Sequence, residues 1–377
     1  MRVWALKLSL ALWLIIVAVV ADSSVACANN PIEHIILLSV DGLNYEGYMS
    51  VSTPNMIELY QQGAIDEKSL SLPVKSIEAA QASLLTGSFP EEHKIISSQD
   101  KPGVETLITV LNNEKHKTLF VDGSGGKLEN LAEGSNYVKV DQNQDDSRVL
   151  ELWKNFFIEE RPFFSFLYLN DCRQSLLSVD EKAYFASIEA FDTQLDMVIE
   201  TLQNTGGGGK TVIIVCSPGS SSPSHMCPLL IAGPNCQKKV RVSGTMILDL
   251  VPTVCFLTGL QVPYASRGIP LYGAFSNSLG ESLDLNQLLL EGLQRERTSA
   301  WNKYFTLKNE LELTRQEMQV LEQEKALMYN FTGEKDQVII DLNMKIKTER
   351  KIFVSCLSVL LVGYIIQYLI LRKKYMI

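Results

Sequence analysis

The sequence predicts an α/β domain with a mostly parallel sheet and helices on both faces. Apolar runs of four to seven residues recur along the chain, and a short run without polar alternation is typical of a strand buried on both faces. Helical segments separate these runs, so we expect crossover helices to join successive strands. The predicted strands are residues 35–40, 118–121, 163–169, 211–215 and 229–232.

The signals that flank these runs agree with this order of elements. The first strand ends in the turn pair Asp41-Gly42, and residues 54–62 follow as a helix with proline near its start and glycine just past its end. Residues 180–205 form a long amphipathic helix, because their apolar residues recur on one face. In such folds the chemistry lies in loops at the carboxyl ends of the strands, so candidate functional residues are expected there.

Two further apolar segments predict the topology. Arg2 and Lys7 precede an uncharged run from Leu8 to Ala21, and small residues follow it, which is the pattern of a secretory signal peptide over residues 1–28. Residues 352–371 form a second uncharged run, whose 20 residues suit a bilayer crossing. We therefore expect a single-pass type I membrane protein of the secretory pathway. An uncleaved N-terminal anchor is the alternative.

This topology predicts five parts of the chain. The signal peptide is followed by a lumenal or extracellular domain over residues 29–273, a helical stalk over 274–351, the transmembrane helix and a cytosolic tail over 372–377. Asn330 begins the only glycosylation sequon and falls on the lumenal side, so we expect it to be glycosylated. The sequence leaves endoplasmic reticulum and cell surface both open.

The stalk carries a short heptad seam. Its residues alternate in steps of three and four, as in a coiled coil, and six of the eight are apolar. They are Tyr304, Leu307, Leu311, Thr314, Met318, Leu321, Lys325 and Met328. Two interpretations stay open: pairing with a second copy of the chain to form a homo-oligomer, and packing of the stalk against the chain's own domain.

Composition excludes some partners and bounds the disulfides. The net charge of −9 argues against nucleic acid and anionic membrane surfaces as partners. Of seven cysteines, Cys27 lies near the end of the leader and Cys356 in the apolar tail, which leaves an odd number in the domain. At least one of those five thiols is therefore expected to be free, and the sequence does not determine any pairing.

A glycine-rich segment, Gly206 to Thr211, superficially matches a phosphate-binding loop. Asn204 stands where the first glycine of that motif is required, and here a helix precedes the glycines and a strand follows them. The segment is therefore predicted to be a helix-to-strand turn.

Several segments keep the order and spacing found in one known family. They are residues 36–42, 52–56, 82–93, 163–171, 190–192, 212–219, 228–234 and 248–263. On these segments the chain resembles the type I phosphodiesterase/nucleotide pyrophosphatase branch of the alkaline phosphatase superfamily, which includes the ethanolamine-phosphate transferases of GPI-anchor assembly. The resemblance covers residues 32–273 and implies an alkaline phosphatase-like fold.

The resemblance also implies a chemistry. In that family three Asp and three His hold two zinc-type ions, and a Thr or Ser attacks phosphorus. Asp41 and Asp171 match the first two aspartates, and His225 matches the last histidine, so these three are the candidate metal ligands. Ser76 matches the nucleophile if one residue is inserted.

Other positions depart from the family pattern. Ser175 stands where a histidine ligand is expected, and Pro218 and Gly219 replace an Asp-His ligand pair. Without an insertion the nucleophile falls on Ile77, and residues 79–81 replace the Pro-Asn-His that follows it. The chain has only four histidines, and of these only His225 matches a ligand position, so a three-histidine, two-zinc site cannot be assembled in the family's manner. Cys172 and Cys216 are possible substitutes, since thiolates bind zinc well.

Three interpretations follow. The favoured one is a catalytically degenerate phosphodiesterase fold, a pseudoenzyme without a cofactor, that acts by binding or scaffolding. The second is an active phosphodiesterase, pyrophosphatase or phosphoethanolamine transferase with Ser76 as nucleophile and zinc held by Asp41, Asp171 and His225. The third is a tether whose stalk is the working part. The sequence does not specify the ligand or the partner protein.

Overall fold

A computed structural model describes residues 32–219, 225–275 and 283–375 of the chain. The predicted signal peptide lies outside the described residues. So does Ser220, the last residue of the turn Pro218-Gly219-Ser220 that replaces the family's ligand pair, here called the altered ligand turn. The predicted strands are confirmed, each within two or three residues of its expected bounds. The strands of the described chain are β1 (His34–Val40), β2 (Gly63–Leu70), β3 (Thr118–Asp122), β4 (Tyr137–Val140), β5 (Phe164–Leu169), β6 (Thr211–Cys216), β7 (Met226–Ala232) and β8 (Val240–Arg241).

The helices follow the expected alternation with the strands. Both helices predicted in the domain, residues 54–62 and 180–205, are confirmed. The α-helices of the described chain are α1 (Tyr45–Ser50), α2 (Pro54–Gln61), α3 (Ile77–Thr86), α4 (Pro90–His93), α5 (Leu107–Asn113), α6 (Asp146–Glu160), α7 (Asp171–Leu177), α8 (Glu181–Asn204), α9 (Leu250–Thr258) and α10 (Leu283–Tyr375).

The described strands form one sheet in the order β4-β3-β5-β1-β6-β7-β2-β8. β1 lies at its centre and pairs in parallel with β5 on one side and β6 on the other. Only β7 among the described strands runs against the others, since it is antiparallel to both β6 and β2. The predicted mostly parallel sheet is thus confirmed, and the carboxyl ends of β5, β1 and β6 meet at one edge.

A hydrophobic layer covers each face of the sheet. Apolar residues of β1 alternate between the two layers: Ile35 and Leu37 face α3, α5 and α9, whereas Ile36 and Leu38 face α2, α6 and α8. All seven residues of β1 are buried. Helices therefore shield both faces, and the edges of the sheet are where polar side chains can gather.

The described chain divides into two compact units, the first ending at Phe305 and the second starting at Thr306. The first unit includes the early turns of α10, because Phe305 is buried in the core and the Trp301 ring lies 4.5 Å from that of Phe89. The compact α/β unit therefore extends well past residue 273, the boundary drawn from the sequence.

The second unit is a single continuous helix from Thr306 to Tyr375. Its apolar seam residues are each more than half exposed, among them Leu311 and Leu321. Among the described residues, one helix, Leu289–Lys373, is long and apolar enough to cross a membrane, and its most apolar stretch is unburied. Asn330 belongs to this helix by its backbone, and its side chain lies outside what the structure describes.

Candidate functional site

The candidate site lies at the carboxyl ends of β1 and β5. The parallel register places Val40 beside Leu169, so the residues that follow the two strands emerge next to each other. Asp41 follows β1, and its backbone N–H donates to the Leu169 carbonyl at 2.9 Å. Asp171 opens α7 directly after β5. The fold thus brings Asp41 and Asp171 to the same edge of the sheet.

Asp41 is buried, and two side chains hold one of its carboxylate oxygens. The Tyr168 hydroxyl lies 2.9 Å from Asp41 Oδ2, and the Arg173 Nε lies 3.2 Å from the same oxygen. Burial raises the pKa of Asp41 to about 6, although Arg173 and the Tyr168 hydroxyl both oppose that rise. A guanidinium of the protein therefore supplies the positive charge beside this carboxylate.

Gly42 explains how Arg173 reaches this position. Its φ of +88° is in the left-handed region that favours glycine, and a Cβ here would lie 2.6 Å from the backbone of Arg173. Only a residue without a side chain lets α7 begin this close to the end of β1. The Asp41-Gly42 turn pair thus sets the approach of the arginine as well as the direction of the aspartate.

Asp171 is half-buried beside a second carboxylate. Its backbone N–H donates to Asp146 Oδ2 at 3.1 Å, and the N–H of Asn170 donates to Asp146 Oδ1 at 2.7 Å. Burial raises the pKa of Asp146 to about 8, and the charge of Asp171 adds to that rise. Asp146 therefore holds the backbone at the end of β5 while Asp171 remains on the outer side of the turn.

Ser76 is the N-cap of α3. Its Oγ accepts a hydrogen bond from the Ala79 N–H at 3.1 Å and lies within hydrogen-bond distance of Ile96 O and Glu78 Oε2, at 2.7 and 2.8 Å. A serine oxygen in this position satisfies one of the free N–H groups that begin a helix. The candidate nucleophile therefore has a structural role in the described chain.

The altered ligand turn packs closely on the same helix. Gly219 pairs with Leu72 beyond β2, and a Cβ on Gly219 would lie only 2.5 Å from the Cβ of Ala80. Nearby in α3, Gln81 Oε1 accepts from Ser39 Oγ at 2.8 Å, while its buried Nε2 has no hydrogen-bond partner among the described residues. The backbone at this turn leaves no space for a larger residue at position 219 without movement of α3.

The four histidines lie in separate places. His34 begins β1 and His116 precedes β3, so both are at the amino edge of the sheet, roughly 23 Å from the site by strand length. His93 is buried against Ser83 Oγ at 2.9 Å, and burial lowers its pKa to about 4. Only His225 lies at the carboxyl edge of the parallel strands, because it directly precedes the antiparallel strand β7. Its ring packs against that of Phe305.

The donor set does not fit a pair of zinc ions. Within residues 32–219, 225–275 and 283–375, no three or more His, Cys, Asp or Glu side chains converge on a point where a metal ion could be held, and residues 220–224 are all Ser or Pro. The two candidate substitutes, Cys172 and Cys216, are buried, which raises the pKa of both thiols. Both are free thiols, as are the other cysteines that the structure describes.

Comparison with known proteins supports the fold. No protein-family model and no curated protein matches the sequence. Solved structures do match: human ENPP5, an ectonucleotide pyrophosphatase/phosphodiesterase, has a TM-score of 0.55 at 12% identity over 63% of this chain and 97% of that chain. The chain has an alkaline phosphatase-like fold. Two further structures agree with it.

These structures come from different kinds of hydrolase. BT1596, a 2-O GAG sulfatase, has a TM-score of 0.53 at 18% identity over 65% of this chain and 74% of that chain. The phosphonate monoester hydrolase SpPMH from Silicibacter pomeroyi has a TM-score of 0.53 at 14% identity over 66% of this chain and 77% of that chain. At these identities the likeness establishes the fold and leaves the reaction to be argued from the site.

Sequence reasoning missed Arg173, Tyr168 and Gln81. The sequence does contain a signal for Arg173, because this basic residue comes two positions after Asp171, just past the end of a buried strand. The contact of Arg173 with Asp41 could not be predicted from the sequence, since it depends on the pairing of β1 with β5.

Proposed function

We propose that this chain is a membrane-anchored protein that uses an alkaline phosphatase-like domain to bind or scaffold, and that it does not work as a two-zinc hydrolase. The observation that carries the proposal is the contact of Arg173 and Tyr168 with one oxygen of Asp41. In the family the carboxylate at the position of Asp41 binds a metal ion, whereas here the Arg173 guanidinium already neutralises it. A divalent ion bound to that oxygen would be repelled by the guanidinium.

Two further contacts support the proposal. Gly219 and Ala80 are in close contact where the family has an Asp-His ligand pair, so a ligand side chain at position 219 would displace α3. Ser76 caps the helix on which the family carries its nucleophile. Its Oγ accepts from the Ala79 N–H and lies within hydrogen-bond distance of Ile96 O and Glu78 Oε2, so the hydroxyl is engaged in the helix cap. The domain therefore lacks the family's Asp-His ligand pair, and its candidate nucleophile is held in a helix cap.

The decisive experiment measures metal content and hydrolysis on the full chain in detergent micelles. We expect no stoichiometric zinc or manganese after purification. We also expect no hydrolysis of a nitrophenyl phosphodiester above that of a Ser76→Ala, Asp41→Asn variant, with either metal added. Unchanged thermal unfolding of a separate Ser76→Ala variant provides the folding control. Zinc-dependent hydrolysis that disappears in a well-folded Ser76→Ala variant would establish the alternative, an active phosphodiesterase or phosphotransferase.

The membrane part of the proposal rests on the apolar end of α10 and on the leader. We infer a type I orientation in the secretory pathway, with Asn330 glycosylated. A mobility shift on deglycosylation and access to an epitope after Ile377 from the cytosol are the expected results. Protection of that epitope in sealed microsomes would reverse the orientation.

The scaffolding part of the proposal concerns the exposed seam of the stalk. Two copies anchored by the same helix in one membrane would lie parallel, so their seams could form a two-stranded coiled coil. We expect the full chain to sediment as a dimer and a Leu311→Lys, Leu321→Lys variant to sediment as a monomer. A wild-type monomer at micromolar concentration would remove self-association from the proposal.

A further inference from the structure

A cavity of about 320 Å³ lies between α1, α7 and the start of α8. Its inner wall is fixed to the turn that carries the candidate site. The Tyr184 hydroxyl donates to the Gly42 carbonyl at 2.8 Å and accepts from the Asn44 N–H at 3.3 Å. The cavity therefore adjoins the carboxyl edge of the sheet, where ligands bind in open α/β folds, but is lined by residues other than Asp41 and Arg173.

The walls of the cavity are mostly apolar. Leu176 of α7 and the rings of Tyr184 and Phe185 of α8 contribute to them. The two rings lie with their centroids 6.0 Å apart. Small-molecule sites typically combine such apolar walls with a few polar groups, and the volume is at the lower end of their range.

Val179 forms part of the rim in an unusual conformation. Its φ is +59°, which a β-branched residue rarely adopts, and its side chain is 91% exposed. The left-handed conformation belongs to the end of α7, because Val179 follows its C-cap Ser178 at a position where glycine is usual. The apolar side chain at this position faces water. An exposed valine in place of glycine is explained if Val179 covers an occupant of the cavity.

The rim carries negative charge. Glu46 of α1 and Glu181 of α8 are exposed, and Asp180 between α7 and α8 caps α8 through hydrogen bonds to the N–H groups of the next turn. Among the described residues, no Lys, Arg or His lines the cavity. An occupant with a positive charge at the rim and an apolar body inside would complement these groups.

We propose that this cavity binds a small organic ammonium ion, with its apolar part against Leu176 and Phe185 and its charged group among the rim carboxylates. The cavity is separate from the Asp41 carboxylate, so the proposal holds whether or not that carboxylate binds a metal. The ligand is an amine or a quaternary ammonium compound with an apolar substituent of about the size of a phenyl ring.

The test uses methyl NMR of the full chain in detergent micelles, because signals from the protein itself do not respond to ligand that merely enters the micelle. The probes are 2-phenylethylammonium, the neutral 2-phenylethanol and phenylacetate. We expect the methyl signals of Leu176 and Val179 to shift saturably with the ammonium. Its dissociation constant should be about fivefold lower than that of the alcohol, which corresponds to about 1 kcal/mol. Phenylacetate should bind more weakly than either.

A pair of matched variants tests the role of the rim charges. In Glu46→Gln, Glu181→Gln the affinity for the ammonium should fall to that for the alcohol. The control, Glu189→Gln, Glu200→Gln, removes the same charge from exposed positions of α8 outside the cavity and should leave the affinity unchanged. Equal affinity of wild type for ammonium and alcohol, or an equal response of the two variants, would overturn the proposal.

Val179→Gly tests the strained rim. Glycine adopts a positive φ without strain, so we expect the unfolding temperature to stay the same or rise. Loss of the apolar cover should weaken binding of both ammonium and alcohol by about threefold, read from the Leu176 methyl signals. Unaltered binding in this variant, or no saturable shift in wild type, contradicts the assignment of the cavity.

Discussion

Two buried aspartate–arginine pairs lie in the described part of the α/β unit, and they are built differently. Asp249 is held on both oxygens: Arg297 Nη2 lies 2.9 and 2.7 Å from them, and the backbone N–H groups of Ile269 and Met246 donate one bond to each. Asp41 has its arginine on one oxygen only, through Nε at 3.2 Å.

The difference separates a structural contact from a candidate site. Arg297 comes from the early turns of α10, so its pair with Asp249 attaches that helix to the core of the α/β unit. Arg173 uses only its Nε on Asp41, and its two terminal amino groups have no hydrogen-bond or ion-pair partner among the described residues. The first pair closes an interface within the fold, whereas the second leaves donors that a ligand can use.

The largest effect is expected from Arg297→Ala. This variant leaves Asp249 buried without its counter-ion, and we expect it to lose about 3–5 kcal/mol of unfolding free energy. Denaturant unfolding followed by tryptophan fluorescence measures this, and Arg295→Ala, an exposed neighbour, is the control with an expected loss below about 1 kcal/mol. Similar losses in the two variants would mean that the Asp249 pair does not anchor α10.

Asp146 shows what burial does to an aspartate without an arginine. Its pKa of about 8 exceeds the usual 3.8, so the folded chain holds a proton that the unfolded chain releases, and stability falls as pH rises towards 8. Buried His93 acts in the opposite direction, but only between about pH 4 and 6.5, because its pKa is lowered to about 4. The window from pH 6.5 to 8 therefore isolates Asp146.

Across that window we expect the wild type to lose about 1.5 kcal/mol of unfolding free energy, because the slope falls from about 1.36 kcal/mol per pH unit at pH 6.5 to half of that at the folded pKa of about 8. Asp146→Asn has no titrating group at position 146, so its unfolding free energy should not change between pH 6.5 and 8. Denaturant unfolding at the two pH values compares them. Parallel pH profiles for wild type and variant would assign the carboxylate of Asp146 to the ionised state.

Arg173→Ala should cost less than Arg297→Ala. Loss of the arginine removes a charge that lowers the pKa of Asp41, so that pKa should rise above about 6 and the buried carboxyl can become neutral instead of remaining an unpaired charge. We expect a loss of about 1–2 kcal/mol. NMR titration of the Asp41 carboxyl follows the pKa directly, and a pKa that stays at 6 or falls would show that Arg173 does not govern this site.

The smallest effect is expected from Ser76→Ala. As a helix N-cap, the serine should contribute about 1 kcal/mol to stability. Ser76→Asp retains a capping oxygen and should restore most of it, as measured by denaturant unfolding. If Ser76→Ala instead raised stability, the strain relieved would indicate that the hydroxyl is kept for function and not as a cap.

Local pattern predicted much of the α/β unit. The buried strands and the two helices are visible in the sequence because each is set by a short run of apolar residues with its own period. The strand β2 was missed, since its centre reads Asp66-Glu67-Lys68 and resembles a polar loop. Asp66 is buried there because Thr245 donates to it from both its N–H and its hydroxyl, at 3.1 and 2.9 Å, and that partner lies far along the chain.

Direction and pairing were decided only by the tertiary structure. The spacing between the predicted strands 211–215 and 229–232 was long enough for a crossover to a parallel strand. In the structure β6 ends at Cys216 and β7 begins at Met226, so the connection is shorter than a parallel crossover needs, and β7 is antiparallel. The sequence by itself determined the order of elements and the absence of the family's histidines, because both are properties of neighbouring residues or of simple counts. The contact of Arg173 with Asp41 and the cavity beside Gly42 join residues more than 100 positions apart, and such contacts follow from how the strands pair.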